Sequence, residues 1–157
     1  MANEMAGAPA PTEPTDSAPM LVLQNVYLKD CSFEAPQGPR LDGSWNPQIN
    51  LDLQSGSSNV NAEVREVVLT VTVSAKQNEA TIFLVEVKQA GTFLMRNLPD
   101  EDLKRAISTV CPGVLFPYAR AVVSQLVSQG GFPQFLLPPV NFEALYAANQ
   151  AHPTVTN

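Results

Sequence analysis

Few side chains in this sequence are placed to do nucleophilic, acid–base or metal chemistry. The single histidine, His152, lies in a C-terminal stretch of small polar residues, where nothing would hold it near a substrate. The two cysteines, Cys31 and Cys111, are far apart and form no CxxC or Cys/His spacing. We therefore expect two reduced, packed thiols and no metal site.

Paired carboxylates are the remaining candidates for acid–base chemistry. Glu63 and Glu66 fall at the start of a predicted strand, and Asp100 and Asp102 fall in the first turn of a predicted helix. Solvation and the helix dipole explain these positions better than catalysis does. The sequence also lacks the GxSxG, P-loop and GxGxxG patterns. It therefore predicts a protein that is not an enzyme and that uses no cofactor.

Composition limits the possible partners. The 157 residues suit one domain, and the net charge of −6 comes without a Lys/Arg cluster. Such a chain is a poor candidate for binding nucleic acid or anionic membranes. The N-terminus lacks the basic and apolar regions of a signal peptide, and no apolar run approaches the roughly 20 residues that span a bilayer. We expect a cytoplasmic protein that does not insert into membranes.

The elements that must position any site are strands first and helices second. Residues 1–20 are rich in Ala, Pro, Thr and acids and predict a disordered tail, and 149–157 predict a flexible one, which leaves a folded body at 21–148. Four segments alternate apolar and polar residues with a period of two, the signature of a half-buried antiparallel sheet. They are 22–34, 47–53, 64–76 and 80–95.

The connections and helices complete the predicted fold. Residues 77–79 suit a short hairpin turn, whereas the longer link between the first two strands could cross over the sheet. Helical spacing predicts a helix that begins near Pro99 and is interrupted at Pro112, a longer one over about 113–129, and a last one capped by Asn141. This order predicts an α+β domain: a four-stranded antiparallel sheet with helices packed on one face.

Two surfaces of this predicted fold could bind a partner. The segment 131–145, before and into the last helix, is rich in aromatics, leucines and prolines, although loops are normally polar. It either packs as core or presents an apolar surface. On the sheet, five acidic residues have even numbers and would share one face with Leu84. This face is either simply solvated or a binding site for a basic partner. These acids are Asp30, Glu34, Asp52, Glu66 and Glu86.

Several stretches of this sequence resemble the SecB family of bacterial protein-export chaperones. They are 27–36, 64–73, 83–87 and the Cys-Pro…Leu-Phe-Pro-Tyr-Ala-Arg…Phe-Pro…Pro-Val-Asn-Phe run at 111–145, and the likeness extends over 22–148. The resemblance implies a SecB-like fold, assembly into a homotetramer that is a dimer of dimers, and no nucleotide site. It also implies that the protein keeps precursor proteins unfolded in the cytoplasm and delivers them to the motor ATPase SecA.

The resemblance also assigns residues. The SecA-docking positions of the family correspond to Asp30, Glu34, Leu84 and Glu86. The client-binding groove corresponds to Leu41, Trp45, Phe132, Phe135, Leu137 and Val140, any of which could instead be core. Two alternatives stay open: a SecB-like chaperone dedicated to a narrow client such as a toxin–antitoxin partner, and a small α+β enzyme with a cavity between sheet and helices.

Overall fold

The computed structural model describes residues 17–39 and 43–151. Leu41 and His152 lie outside the described residues, as does most of the two predicted tails, 1–20 and 149–157. The first strand begins at Met20 and the last helix ends at Ala151, so the described fold extends slightly beyond 21–148 at both ends.

Four strands form one antiparallel sheet, as the alternation predicts. They are β1 (Met20–Glu34), β2 (Gln48–Asn59), β3 (Val64–Gln77) and β4 (Ala80–Arg96). The order across the sheet is β1-β4-β3-β2, so β4 and β3 are central and β1 and β2 are the edges. The second half of β2 is polar and shows no alternation, yet its backbone pairs with β3 as far as Asn59 opposite Arg65. This pairing explains why β2 is longer than predicted.

Two of the three strand connections, β3–β4 and β1–β2, differ as their sequences indicate. Asn78 and Glu79 have φ values of 52° and 63° and make a two-residue hairpin turn between β3 and β4. Positive φ at both central residues gives a turn whose twist matches that of the flanking strands. The link from β1 to β2 joins the two opposite edges of the sheet, so it crosses over the sheet rather than forming a hairpin.

The core lies between one face of the sheet and the helices. Most odd-numbered residues of β3 and β4 are buried on this face, whereas their even-numbered neighbours are mostly half-buried or exposed on the other. Helix α2 (Val110–Gln129) closes the core with Leu115, Ala119 and Val123, which are also fully buried. Burying each Val or Leu side chain contributes about 1.5–3 kcal/mol, so this layer is the main source of stability.

Helix α1 (Asp100–Ser108) precedes α2, and the boundary between them differs from the prediction. Pro112 does not end a helix. It lies in the first turn of α2, which begins at Val110, where a residue without an N–H is tolerated because that donor has no intrahelical partner. Pro117 instead lies inside α2 and removes the N–H that would bond the Gly113 carbonyl.

Helix α3 (Phe142–Ala151) begins as predicted. The Asn141 side-chain Oδ1 accepts a hydrogen bond from the Ala144 N–H at 3.0 Å, the geometry of an N-cap. Such a cap contributes about 1 kcal/mol to the stability of the helix. Phe142 packs edge-on against Phe116, with ring centroids 5.9 Å apart, so α3 is fixed to α2 at its first residue.

The two cysteines have different environments. Cys111 is buried, and burial raises the pKa of its thiol to about 12, so it behaves as an inert core residue. Cys31 is exposed on the edge strand β1, so the expectation of two packed thiols is wrong for Cys31. An edge strand has a neighbour on one side only, and this leaves its inward residues partly open.

One helical segment of the described chain, 100–129, is long and apolar enough to cross a membrane by length and composition. Core helices of globular proteins meet the same criterion. The burial of Leu115, Ala119 and Val123 against the sheet explains the apolar character of α2 without a membrane.

Candidate interaction surfaces

The register of the sheet brings four predicted docking residues to the face that the helices do not cover, which we call the outer face. Ser32 is opposite Glu86 and Glu34 is opposite Leu84, in neighbouring strands β1 and β4. Directly opposed residues point to the same face of an antiparallel pair. Asp30 follows the same alternation, opposite Lys88. Asp30, Glu34, Leu84 and Glu86 therefore form one group, called here the outer-face quartet.

The quartet combines an exposed apolar side chain with three carboxylates. Leu84 is 37% exposed, whereas the next residue, Val85, is fully buried on the opposite face. An exposed leucine beside Glu34 and Glu86 suits a partner that presents an apolar side chain flanked by basic residues. Asp52 lies on the same face but two strands from β4, opposite Thr72, so the acidic character continues beyond the quartet.

Edge strand β1 reaches this arrangement through two irregularities that the alternation does not reveal. Its register with β4 shifts between Leu23 and Asn25 and again between Leu28 and Asp30. Between the shifts, odd-numbered residues such as Tyr27 point to the outer face, because Tyr27 is opposite Ala90. No glycine or proline marks these β-bulges in the sequence, yet the simple parity rule fails for β1 between the two shifts, from Asn25 to Leu28.

A polar cluster lies beside the second bulge. Lys29 Nζ is 2.5 Å from Glu66 Oε1, and the Tyr27 hydroxyl donates a hydrogen bond to Glu66 Oε2. The hydrogen bond from Lys29, helped by that from Tyr27, lowers the pKa of Glu66. The hydrogen bond to the Glu66 carboxylate in turn raises the pKa of Tyr27 to about 12. The sequence showed Glu66 as one acid among several and gave no sign of its two partners.

Two of the predicted groove residues, Trp45 and Phe135, lie at an aromatic cluster that includes Phe132, whereas Val140 lies apart from it, at the start of α2. Phe132 is central: its ring centroid is 5.9 Å from that of Trp45 and 5.3 Å from that of Phe83. Phe83 also stacks on Phe33 at 6.1 Å and meets Phe135 at 6.4 Å. Neither Phe33 nor Phe83 was predicted from the sequence as a neighbour of the groove, although the alternation placed Phe83 in a strand.

Burial separates the predicted groove residues into two kinds. Phe132 and Leu137 are 5% and 2% exposed and belong to the core, so they support a surface rather than form it. Trp45 is 37% exposed, and Phe135 and Val140 are partly buried against the core. The apolar segment that looked anomalous in the sequence thus has both of the roles left open for it.

Cavities adjoin the accessible residues. One of about 260 Å³ is lined by Trp45 together with the β3–β4 hairpin residues Asn78 and Ala80. Another of about 510 Å³ lies where Val140 faces the start of α2 at Val110 and Gly113. Within 17–39 and 43–151, no three His, Cys, Asp or Glu side chains come together as metal ligands would.

This combination defines an α+β protein with a cleft beside the crossover, where Trp45 adjoins mainly polar residues, and with an acidic outer face on the sheet. The family model for preprotein translocase subunit SecB matches residues 14–153. Protein-export protein SecB of Psychrobacter arcticus is 43% identical over 132 residues, which cover 84% of this chain and 89% of the relative. That of Nitrosococcus oceani is 47% identical over 131 residues, with 82% and 80% covered. The chain belongs to the SecB family, a family of chaperones.

A solved structure supports the fold separately. A SecB-like chaperone of Mycobacterium tuberculosis, in complex with a peptide from an antitoxin, is similar with a TM-score of 0.67. The likeness covers 77% of this chain and 91% of the other, at 14% identity. At that identity it shows the shared fold and not a shared client.

The burial of Phe132 and the exposure of Trp45 predict different effects on stability. Replacing Phe132 with Ala removes a ring at the centre of the aromatic cluster and should lower the free energy of unfolding by about 3–5 kcal/mol. Trp45→Ala should lower it by less than half as much, because that ring is partly in solvent. Urea unfolding followed by circular dichroism measures both, and equal losses would contradict the assignment of Phe132 to the core.

The cluster at Glu66 predicts a pH dependence. Because the folded pKa of Glu66 lies below its ordinary value of 4.5, its carboxylate stabilises the fold above about pH 4.5, and this contribution is lost as the pH falls through the lowered pKa. Tyr27, with a raised pKa, contributes below about pH 10 and loses its contribution as the pH rises towards 12. Between these limits the contribution of the cluster is constant.

We therefore expect Glu66→Gln to lower the urea midpoint at neutral pH, and the difference from the parent protein to shrink below about pH 4. Asp52→Asn is the matched control, since the Asp52 carboxylate bonds only to Gln54 of its own strand, at 3.3 Å, among the contacts described. A difference for Glu66→Gln that persists unchanged at about pH 3 would contradict the account of the cluster.

Proposed function

We propose that this protein is an ATP-independent export chaperone that binds unfolded precursor proteins, keeps them competent for translocation and delivers them to the SecA motor in the cytoplasm. Membership of the SecB family, with relatives above 40% identity named as protein-export proteins, is the observation that carries this proposal. The described residues add two separate surfaces, which suit two separate partners.

Client binding is assigned to the cleft beside the crossover. Trp45 offers apolar surface against the buried Phe132 and Phe135 offers it against Phe83, while Val140 would extend the proposed groove towards the start of α2. Leu41, outside the described residues, belongs to the same proposed groove. Unfolded chains expose apolar segments that folded proteins bury, and each Å² removed from water is worth roughly 25 cal/mol. Such contacts tolerate many client sequences because the hydrophobic effect is not directional.

Assembly into a homotetramer, as a dimer of dimers, is part of the proposal. Helix α2 leaves Val110 and Tyr118 46% and 50% exposed, which is apolar surface that an assembly would cover. Several grooves on one assembly would bind one long client together, and linked binding of this kind can raise affinity by about 10²–10⁴. Weak, unspecific contacts could then hold a precursor long enough for delivery.

Docking to SecA is assigned to the outer-face quartet. Asp30, Glu34 and Glu86 supply negative charge around the exposed Leu84. This surface is on the opposite side of the sheet from the aromatic cluster, so a bound client would not cover it. Electrostatic complementarity of this kind contributes to specificity and to the rate of encounter with a basic partner.

The chaperone proposal predicts that the protein suppresses aggregation without ATP. Two unrelated precursors, diluted from denaturant, should stay in solution at a severalfold molar excess of the protein, as measured by light scattering. Trp45→Ala should raise the concentration of the protein that is needed to suppress aggregation about fivefold, because it removes the accessible aromatic side chain of the cleft. Val60→Ala, which removes an exposed apolar residue outside the proposed groove, is the control and should have no effect.

The two precursors also separate the proposal from its alternative. No suppression of either precursor would contradict the chaperone function. If the protein suppresses aggregation of neither precursor but binds one antitoxin-like client tightly, the result would favour a chaperone dedicated to a narrow client.

The docking proposal predicts that Glu86→Lys weakens SecA binding by at least about tenfold and leaves client binding unchanged. Asp52→Lys is the matched control, because it makes the same charge change in the same row of the outer face, two strands away. Titration calorimetry with SecA measures both. Equal losses for the two variants would mean that net charge, and not the quartet, determines binding; unchanged affinity for Glu86→Lys would overturn the assignment.

A further inference from the structure

The second bulge of β1 decides which face of the sheet carries two of the quartet residues. Tyr27 points to the outer face because it is opposite Ala90, and the extra residue Lys29 restores the alternation so that Asp30 is opposite Lys88. Side chains alternate between faces with a period of two, so a strand without this bulge would turn Asp30 and Glu34 towards the helices. The quartet therefore exists only while the bulge is in place.

The bulge lies on an edge strand and is held by side chains as well as by the backbone. Among the strands described in this single chain, β1 pairs with β4 alone. Lys29 and Tyr27, which flank Leu28 at the bulge, both reach over β4 to the two carboxylate oxygens of Glu66 in β3. The β4 residue opposite Tyr27 is Ala90, whose side chain is only a methyl group.

Two partners on one partly buried carboxylate make this cluster stronger than an ordinary surface ion pair, although the Lys29 side chain itself is 46% exposed. The Glu66 side chain is 17% exposed although it is ionised, and both of its oxygens are occupied by Tyr27 and Lys29. A partly buried carboxylate with two partners is a stronger constraint than an exposed ion pair, which is worth about 0–1 kcal/mol. The cluster can therefore fix the path of β1 where the backbone ladder is interrupted.

We propose that Tyr27, Lys29 and Glu66 form a clamp that holds the β1 bulge and thereby positions Asp30 and Glu34 beside Leu84 and Glu86 for docking. The three are positioning residues for the quartet and act through it. The inference rests on the proposed docking of SecA at the quartet and adds residues that determine how that site is presented.

Lys29→Met separates a positioning role from an electrostatic role, because the two roles predict opposite changes in the affinity for SecA. If only charge mattered, removing a cation from an acidic surface would leave the affinity for a basic partner unchanged or raise it. The clamp predicts a weaker affinity, on the order of tenfold, because Asp30 and Glu34 lose their fixed geometry. Lys29→Arg keeps the cation and should restore most of the affinity.

Lys88→Met is the matched control for this variant. Lys88 is on the same face, opposite Asp30, and makes the same charge change without touching the clamp. We expect it to bind SecA as tightly as the parent protein or more tightly. Each variant is first tested for suppression of precursor aggregation, which should stay unchanged because the client cleft is on the other side of the sheet.

A double-mutant cycle measured by titration calorimetry with SecA completes the test. Lys29→Met should cause no further loss in a variant in which Asp30 and Glu34 are both already Ala, since the clamp acts through those two carboxylates. Parent-like or tighter binding by Lys29→Met, or a loss that adds in full to that of the combined Asp30→Ala and Glu34→Ala variant, would overturn the clamp. If Glu34→Ala binds SecA normally, the docking assignment is wrong and the positioning role is wrong with it. If Glu34→Ala weakens binding but Lys29→Met does not, only the positioning role is wrong.

Discussion

The structure depends on the pairing of β4 with neighbours on both sides. Phe83 and Leu84 are adjacent in this strand and point to opposite faces: Phe83 enters the aromatic cluster below the cleft, and Leu84 lies in the outer-face quartet. A slip of one residue in the register would exchange the two faces. The buried side of β3 and β4 opposes such a slip, because it would move fully buried residues such as Val73 and Val85 into solvent. The same core burial thus fixes both proposed binding surfaces.

Much of the fold follows from local sequence patterns. The period of two in residues 64–76 and 80–95 predicted the central strands, since one face of each is buried under α2 and the other is not. The crossover also followed, because the link after β1 is too long and too rich in Pro and Gly for a hairpin. The order of strands and helices then left an α+β sheet packed on one face as the predicted architecture.

What the sequence could not predict depends on tertiary contacts. The bulges of β1 leave no local mark, because Tyr27 and Lys29 find their partner Glu66 two strands away and 37–39 residues later. The burial of Phe132 depends on the rings of Phe33 and Phe83 that surround it. Cys31 is exposed because β1 is an edge, and the strand order is not a local property.

The two proposed partners bind on opposite sides of one sheet, and simultaneous binding tests this assignment most directly. SecA affinity is measured by titration calorimetry with the protein alone and with the protein saturated by an unfolded precursor. We expect the saturated protein still to bind SecA and a ternary complex to sediment as one species. Mutually exclusive binding of precursor and SecA would contradict this assignment.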